Sequence, residues 1–104
     1  MKEIIIANIT PKDCERKQIR ILANQKELFP AEQRGFRKIY DVNIIYGNNA
    51  YSCTYRIGSR DGRARSGVLC LYDGLGEVLA NKNTKKLALK WKENNEYHLT
   101  LFAL

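Results

Sequence analysis

Residues 39–57 read IYDVNIIYGNNAYSCTYRI, and their alternation decides the fold. Tyr40, Val42, Ile44 and Tyr46 alternate with Asp41 and Asn43, the period-two pattern of a half-buried β-strand, with Ile45 the one apolar residue out of step. Gly47, Asn48 and Asn49 supply a tight turn. On the return, Tyr51, Cys53, Tyr55 and Ile57 point one way while Ser52, Thr54 and Arg56 point the other.

The hairpin runs on into YRIGSRDGRARSG, residues 55–67. Arg56, Arg60, Arg63 and Arg65 fall within ten residues against a single acid, Asp61, with Gly58, Gly62, Gly67, Ser59 and Ser66 among them. Apolar runs flank it on both sides, so it reads as an arginine-loaded loop at the end of a β-hairpin. Val68–Tyr72 is the next strand. In DGLGEVLA, Leu75, Val78 and Leu79 have helical spacing, and a short helix is expected although Gly74 and Gly76 each cost roughly 1 kcal/mol relative to alanine. Residues 81–86 form a basic loop. Leu87, Leu89 and Trp91, then Tyr97, Leu99 and Leu101, alternate in two closing strands around a turn at 93–95.

Upstream, EIIIANI at 3–9 carries three consecutive isoleucines and is expected to be a strand buried on both faces or paired centrally. Thr10 and Pro11 end it. KDCERKQIR at 12–20 is charged, and residues 10–18 read as a polar connection that projects from the scaffold. Ile19–Leu22 is a short second strand. Asn24 is placed to cap a short helix, Gln25–Phe29, whose Leu28 and Phe29 face the core before Pro30 ends it. A basic loop follows with Arg34, Arg37 and Lys38.

Seven short strands and two small helices give a mainly β protein, a closed or partly closed barrel, because closure removes exposed sheet edges. A parallel α/β sheet needs longer crossover helices than this chain offers. The 104 residues make a single domain, 1–104, with no room for a second, catalytic one.

The net charge of +7, from 18 Lys and Arg against 11 Asp and Glu, favours polyanion partners. A membrane surface is disfavoured, since the basic residues lie in segments of strand periodicity rather than on a long basic helix. Cys14, Cys53 and Cys70 with the lone His98 fit neither a disulfide framework nor a zinc site, and Cys53 and Cys70, which alternate with apolar residues, are expected to be buried thiols in a reducing compartment. The run Ile4–Ala7 is too short for a signal segment, so the expected location is cytoplasmic.

Arginine suits base reading because its planar fork donates twice to guanine O6 and N7. The 56–65 stretch uses only arginine, whereas 82–92 uses only lysine, at Lys82, Lys85, Lys86, Lys90 and Lys92. That division suggests base readout in one place and backbone contact or plain solubility in the other. Asp61 is suited to fixing a neighbouring guanidinium or to accepting from cytosine N4. Tyr40, Tyr46, Tyr51, Tyr55 and Tyr97 share strand faces with aliphatic residues and belong to the core rather than to a base-stacking platform. His98 has no carboxylate partner evident in the sequence and reads as a surface histidine. Glu15, Arg16 and Lys17 match an E-x-K fragment without the strand-borne acids a metal-dependent nuclease needs. No cofactor, no metal and no catalytic activity are expected of this chain.

Taken together, IRILANQKELFP (19–30), YDVNIIYGNNAYSCTYR (40–56), GRARSGVLCL (62–71) and KKLALKWKENNEYHLTLF (85–102) resemble the DNA-binding pseudobarrel that forms the N-terminal effector domain of EcoRII-type restriction endonucleases and, more distantly, the plant B-three domain. The resemblance implies a seven-stranded pseudobarrel that grips double-stranded DNA with two arms in the major groove. The first arm joins the first two strands, here Lys12–Arg20, and the second joins the fourth and fifth, here Arg56–Ser66. The expected DNA-binding residues are therefore Lys12, Arg16, Lys17, Arg20, Arg34, Arg37, Lys38, Arg56, Ser59, Arg60, Asp61, Arg63, Arg65 and Ser66. Among them, Arg60, Arg63 and Arg65 are expected on base edges, and Lys12, Arg16, Lys17, Arg37 and Lys38 on phosphates. The chain is short and holds no nuclease, which leaves either the effector domain of a restriction enzyme, with a nuclease partner elsewhere, or a stand-alone DNA-binding protein. A small basic protein-binding or inhibitory module and a single-stranded RNA binder are the alternatives.

Overall fold

The structure is a computed structural model and describes residues 3–22, 25, 28, 29, 39–57, 67–93 and 95–102. Its elements are β1 (Glu3–Ile6), α1 (Pro11–Arg16), β2 (Gln18–Ile21), β3 (Ile39–Tyr46), β4 (Asn49–Ile57), β5 (Gly67–Cys70), α2 (Leu75–Asn81), β6 (Lys86–Glu93) and β7 (Glu96–Phe102). The strands form one sheet in the order β1-β6-β7-β3-β4-β5-β2. All neighbours are antiparallel except β3 and β7. The two outer strands are consecutive in the chain. The Gln25 side-chain amide links β1 to the residue after β2, its Nε2 donating to the Ile5 carbonyl at 2.9 Å and its Oε1 accepting from the Leu22 N–H at 3.2 Å. The protein is thus mainly β, a nearly closed seven-stranded barrel with two helices, in agreement with the alternation.

The inward faces meet in one core. The central hairpin supplies Val42, Ile44, Tyr51, Cys53 and Tyr55, the closing strands Leu87, Leu89, Tyr97 and Leu99, and β5 with the residue after it Leu69 and Leu71. Each large apolar side chain buried there stabilises the fold by about 1.5–3 kcal/mol. Leu28 and Phe29 are buried among them, which explains the LFP phrase as a plug. The ring of Phe29 stacks on Tyr55 and leans on Tyr97. Of the helix expected at 25–29, only Gln25, Leu28 and Phe29 belong to the described residues, and its cap Asn24 lies outside them.

Three expectations need correction. The first strand is shorter than 3–9 and lies at the sheet edge, pairing with β6. Of the three consecutive isoleucines only Ile4 and Ile6 are buried, while Ile5 is 53% exposed, because a barrel strand has one inner face whatever the residue types on the other. The residues after it do not project as a polar connection; they fold into α1. Thr10 and Asp13 make a capping box, the Asp13 N–H donating to Thr10 Oγ1 at 3.2 Å and the Thr10 N–H to Asp13 Oδ2 at 3.0 Å, with Pro11 in the first turn. Cys70, expected to be buried, is only half-buried on the outer face of β5, while Cys14 and Cys53 are buried.

The expected second helix is present as α2, opening at Gly74 with φ 87° and burying Leu75 and Leu79. It packs against α1 so closely that a Cβ on Gly76 would sit 3.0 Å from the Cys14 carbonyl oxygen and 3.1 Å from Lys17 Cγ. That glycine is therefore a helix-packing residue rather than a flaw in the helix. Among the described residues no helix is long and apolar enough to cross a membrane.

Candidate nucleic-acid interface

The arginine-rich connection leaves the barrel at the end of β4 and rejoins it at the start of β5. Ser59, Arg60, Asp61, Arg63, Arg65 and Ser66 lie outside the described residues, as do Arg34, Arg37 and Lys38. The strands that carry the connection are described. On the outer face of β4, β5 and β2, Arg56 pairs across to Val68 and Val68 to Arg20. One row along, Thr54 pairs to Cys70 and Cys70 to Gln18. The two arginines thus flank Val68 with backbones about 10 Å apart, two strand spacings. They stand one residue from the Ile57–Gly67 pair where the connection begins and ends. Arg20 is exposed and Arg56 half-buried.

The other expected arm residues start from the far end of the same ladder. Gln18 pairs with Cys70 and Ile21 with Gly67, so α1 joins the wall at the end opposite the arginine connection. A four-residue strand separates the two by roughly 10–13 Å. Lys12 and Arg16 are exposed on α1, one helical turn apart. Lys17 is the left-handed C-cap residue, with φ 58°. Its ammonium lies 3.2 Å from Glu77 Oε1 on α2. Glu77 is held below the usual carboxylate range by its own backbone N–H and then by Lys17. Lys17, expected on phosphate, is engaged in holding the two helices together.

Two contacts fix the root of the arginine connection. A Cβ on Gly67 would lie 2.5 Å from the Tyr55 hydroxyl and 2.6 Å from Tyr55 Cε1. Tyr55 is fully buried and stacked on Phe29, so β5 must begin with a residue that has no side chain. At the other end of β5, Asp73 Oδ2 accepts the Ser52 N–H at 2.9 Å and ties the chain after the strand back to β4. The sequence signal for the first contact is an aromatic residue diagonal to a strand glycine, visible only once the pairing is known.

Tyr51, Tyr55 and Tyr97 are buried, and Tyr40 and Tyr46 pack against the core from partly buried positions, as expected. His98 does have a carboxylate neighbour: its Nε2 lies 3.5 Å from Glu96 Oε1, both side chains partly exposed. The signal is the i, i+2 spacing on one face of β7. Glu15 is exposed on α1. Among the described residues no three His, Cys, Asp or Glu side chains gather to hold a metal ion.

No protein-family model matches the chain, and no curated protein matches it. Among solved structures, that of a hypothetical protein from Arabidopsis thaliana is similar, with a TM-score of 0.60 over 97% of this chain and 89% of that chain at 13% sequence identity. A likeness at that identity shows the fold alone.

Proposed function

We propose that this chain binds double-stranded DNA sequence-specifically, setting the outer wall of β4, β5 and β2 against the major groove with an arm at each end. The observation that carries the reading is the arginine row. Arg56 and Arg20 stand outward on either side of Val68, next to the strand ends that carry a connection whose cations are all arginine. The wall between that connection and α1 is roughly 10–13 Å long, close to the ~12 Å width of the major groove of B-DNA.

In this reading Arg60, Arg63 and Arg65 donate to base edges, while Arg20, Arg56, Lys12 and Arg16 contact phosphates and set the register. The chain recognises and does not cut. It serves in the cytoplasm, either as the effector domain of an EcoRII-type restriction enzyme, whose nuclease lies outside these residues, or as a stand-alone DNA-binding protein related in design to the plant B-three domain.

The test is fluorescence anisotropy on duplexes across a range of salt. The Arg20→Gln/Arg56→Gln double variant should bind every duplex more weakly and lower the slope of log K against log salt by about 2. Arg63→Ala should instead lose about 1–3 kcal/mol on the preferred duplex and relax selectivity. Unchanged affinity in both variants would contradict the proposal.

A further inference from the structure

We infer that the phosphate contact continues past α1 onto the turn between α2 and β6, where Lys82, Lys85 and Lys86 join Lys12 in a basic rim for the duplex backbone that flanks the major-groove site. This rests on the duplex-binding reading above.

The chain entering α1 and the start of β6 are held together at this end of the barrel. The Ile9 N–H donates to the Lys85 carbonyl at 2.9 Å, and the Lys85 N–H donates to the Phe102 carbonyl at 3.1 Å. Pro11, Cys14 and Lys85 line one small cleft, so α1, which carries Lys12, and the start of β6 share this end of the barrel. Two of the ammonium groups are positioned by rings. Lys82 Nζ stands 5.9 Å from the Tyr46 ring centroid and Lys86 Nζ 5.1 Å from that of Phe102. A ring face orients an ammonium without neutralising it.

No carboxylate among the described residues lies within 4 Å of Lys12, Lys82, Lys85 or Lys86. Lys17, the C-cap of α1, is paired. The nearby Asp13 carboxylate is occupied by the Thr10 N–H. Four cations without counterions among the described residues therefore share the end of the barrel that carries α1. Lysine is a point charge that favours phosphate over base edges, so the rim adds affinity without selectivity.

The test uses the full chain and a duplex carrying the sequence it selects from a randomised pool. Lys82→Gln/Lys85→Gln/Lys86→Gln should lower the salt slope by about 2.7, at about 0.9 for each phosphate that no longer meets a lysine, and leave the order of preference among sequences unchanged. The Lys82→Gln/Lys85→Gln double variant, which keeps the half-buried Lys86, should lower it by about 1.8. Trimming the duplex on the α1 side should remove the difference between wild type and variant. Duplex binding with an unchanged slope in both variants would overturn the rim and leave the arms standing. No duplex binding by the wild type would overturn both. Loss of binding to phosphatidylserine vesicles or to single-stranded RNA, with the duplex slope unchanged, would also overturn it.

Discussion

Phe29 lies flat on Tyr55, ring centroids 4.3 Å apart and planes 9° from parallel. Its other neighbour is Tyr97, 5.0 Å away and tilted by 30°. The stack sits beneath the root of the arginine connection, because Tyr55 also covers Gly67. Phe29→Ala should cost about 3–5 kcal/mol of stability, the transfer loss plus a cavity that two fixed tyrosines cannot close. Urea denaturation measures it, and a loss under about 1 kcal/mol would show that the plug is not part of the core.

Tyr97 adds a polar link to the same stack. Its hydroxyl donates to the Leu28 carbonyl at 2.9 Å in a buried site. Tyr97→Phe should cost about 1–2 kcal/mol at neutral pH by leaving that carbonyl without a partner.

The same phenol carries a pH dependence. Burial pushes it up from 10.0 to about 12. The protonated form is thus favoured in the fold. Its contribution is fully present below pH 10.0 and is lost as pH rises through about 12. Denaturation midpoints taken across that window should fall more steeply in the wild type than in Tyr97→Phe; parallel curves would contradict the burial argument.

Gly67→Ala brings a Cβ against the Tyr55 ring, which has nowhere to move. The expected cost is about 1–3 kcal/mol from overpacking. Duplex affinity should also fall, since the start of β5 is one root of the arginine arm. A variant as stable as the wild type would mean that Tyr55 can yield.

Thr10→Ala removes half of the capping box on α1. A loss of about 1 kcal/mol is expected, seen as a lower thermal midpoint together with weaker duplex binding through Lys12 and Arg16. Weakened stability with unaltered binding would separate α1 from the DNA contact.

The strands are legible because a barrel gives each strand one buried face, so β3, β4, β6 and β7 follow from their alternation alone. Where alternation is masked by uniform residue type, as in Ile4–Ile6, pattern reading assigns too much burial. The helix at Pro11–Arg16 escapes pattern reading because it buries Cys14 and otherwise shows charge, leaving no 3.6-residue period; Thr10 and Asp13 at capping-box spacing are the available signal. Arg20 and Arg56 both stand out in the sequence as candidate DNA contacts. Their place on one row cannot be read there, since it depends on β2 pairing with β5, a non-local pairing no local pattern encodes.

Sequence-specific duplex recognition by the wall and its arginine arm is tested by selection from a randomised duplex pool, run side by side with the wild type and with Arg60→Ala/Arg63→Ala/Arg65→Ala. The wild type should enrich one sequence motif, and the triple variant should enrich none while keeping salt-sensitive binding. Absence of enrichment by the wild type, or the same motif from both proteins, would contradict it.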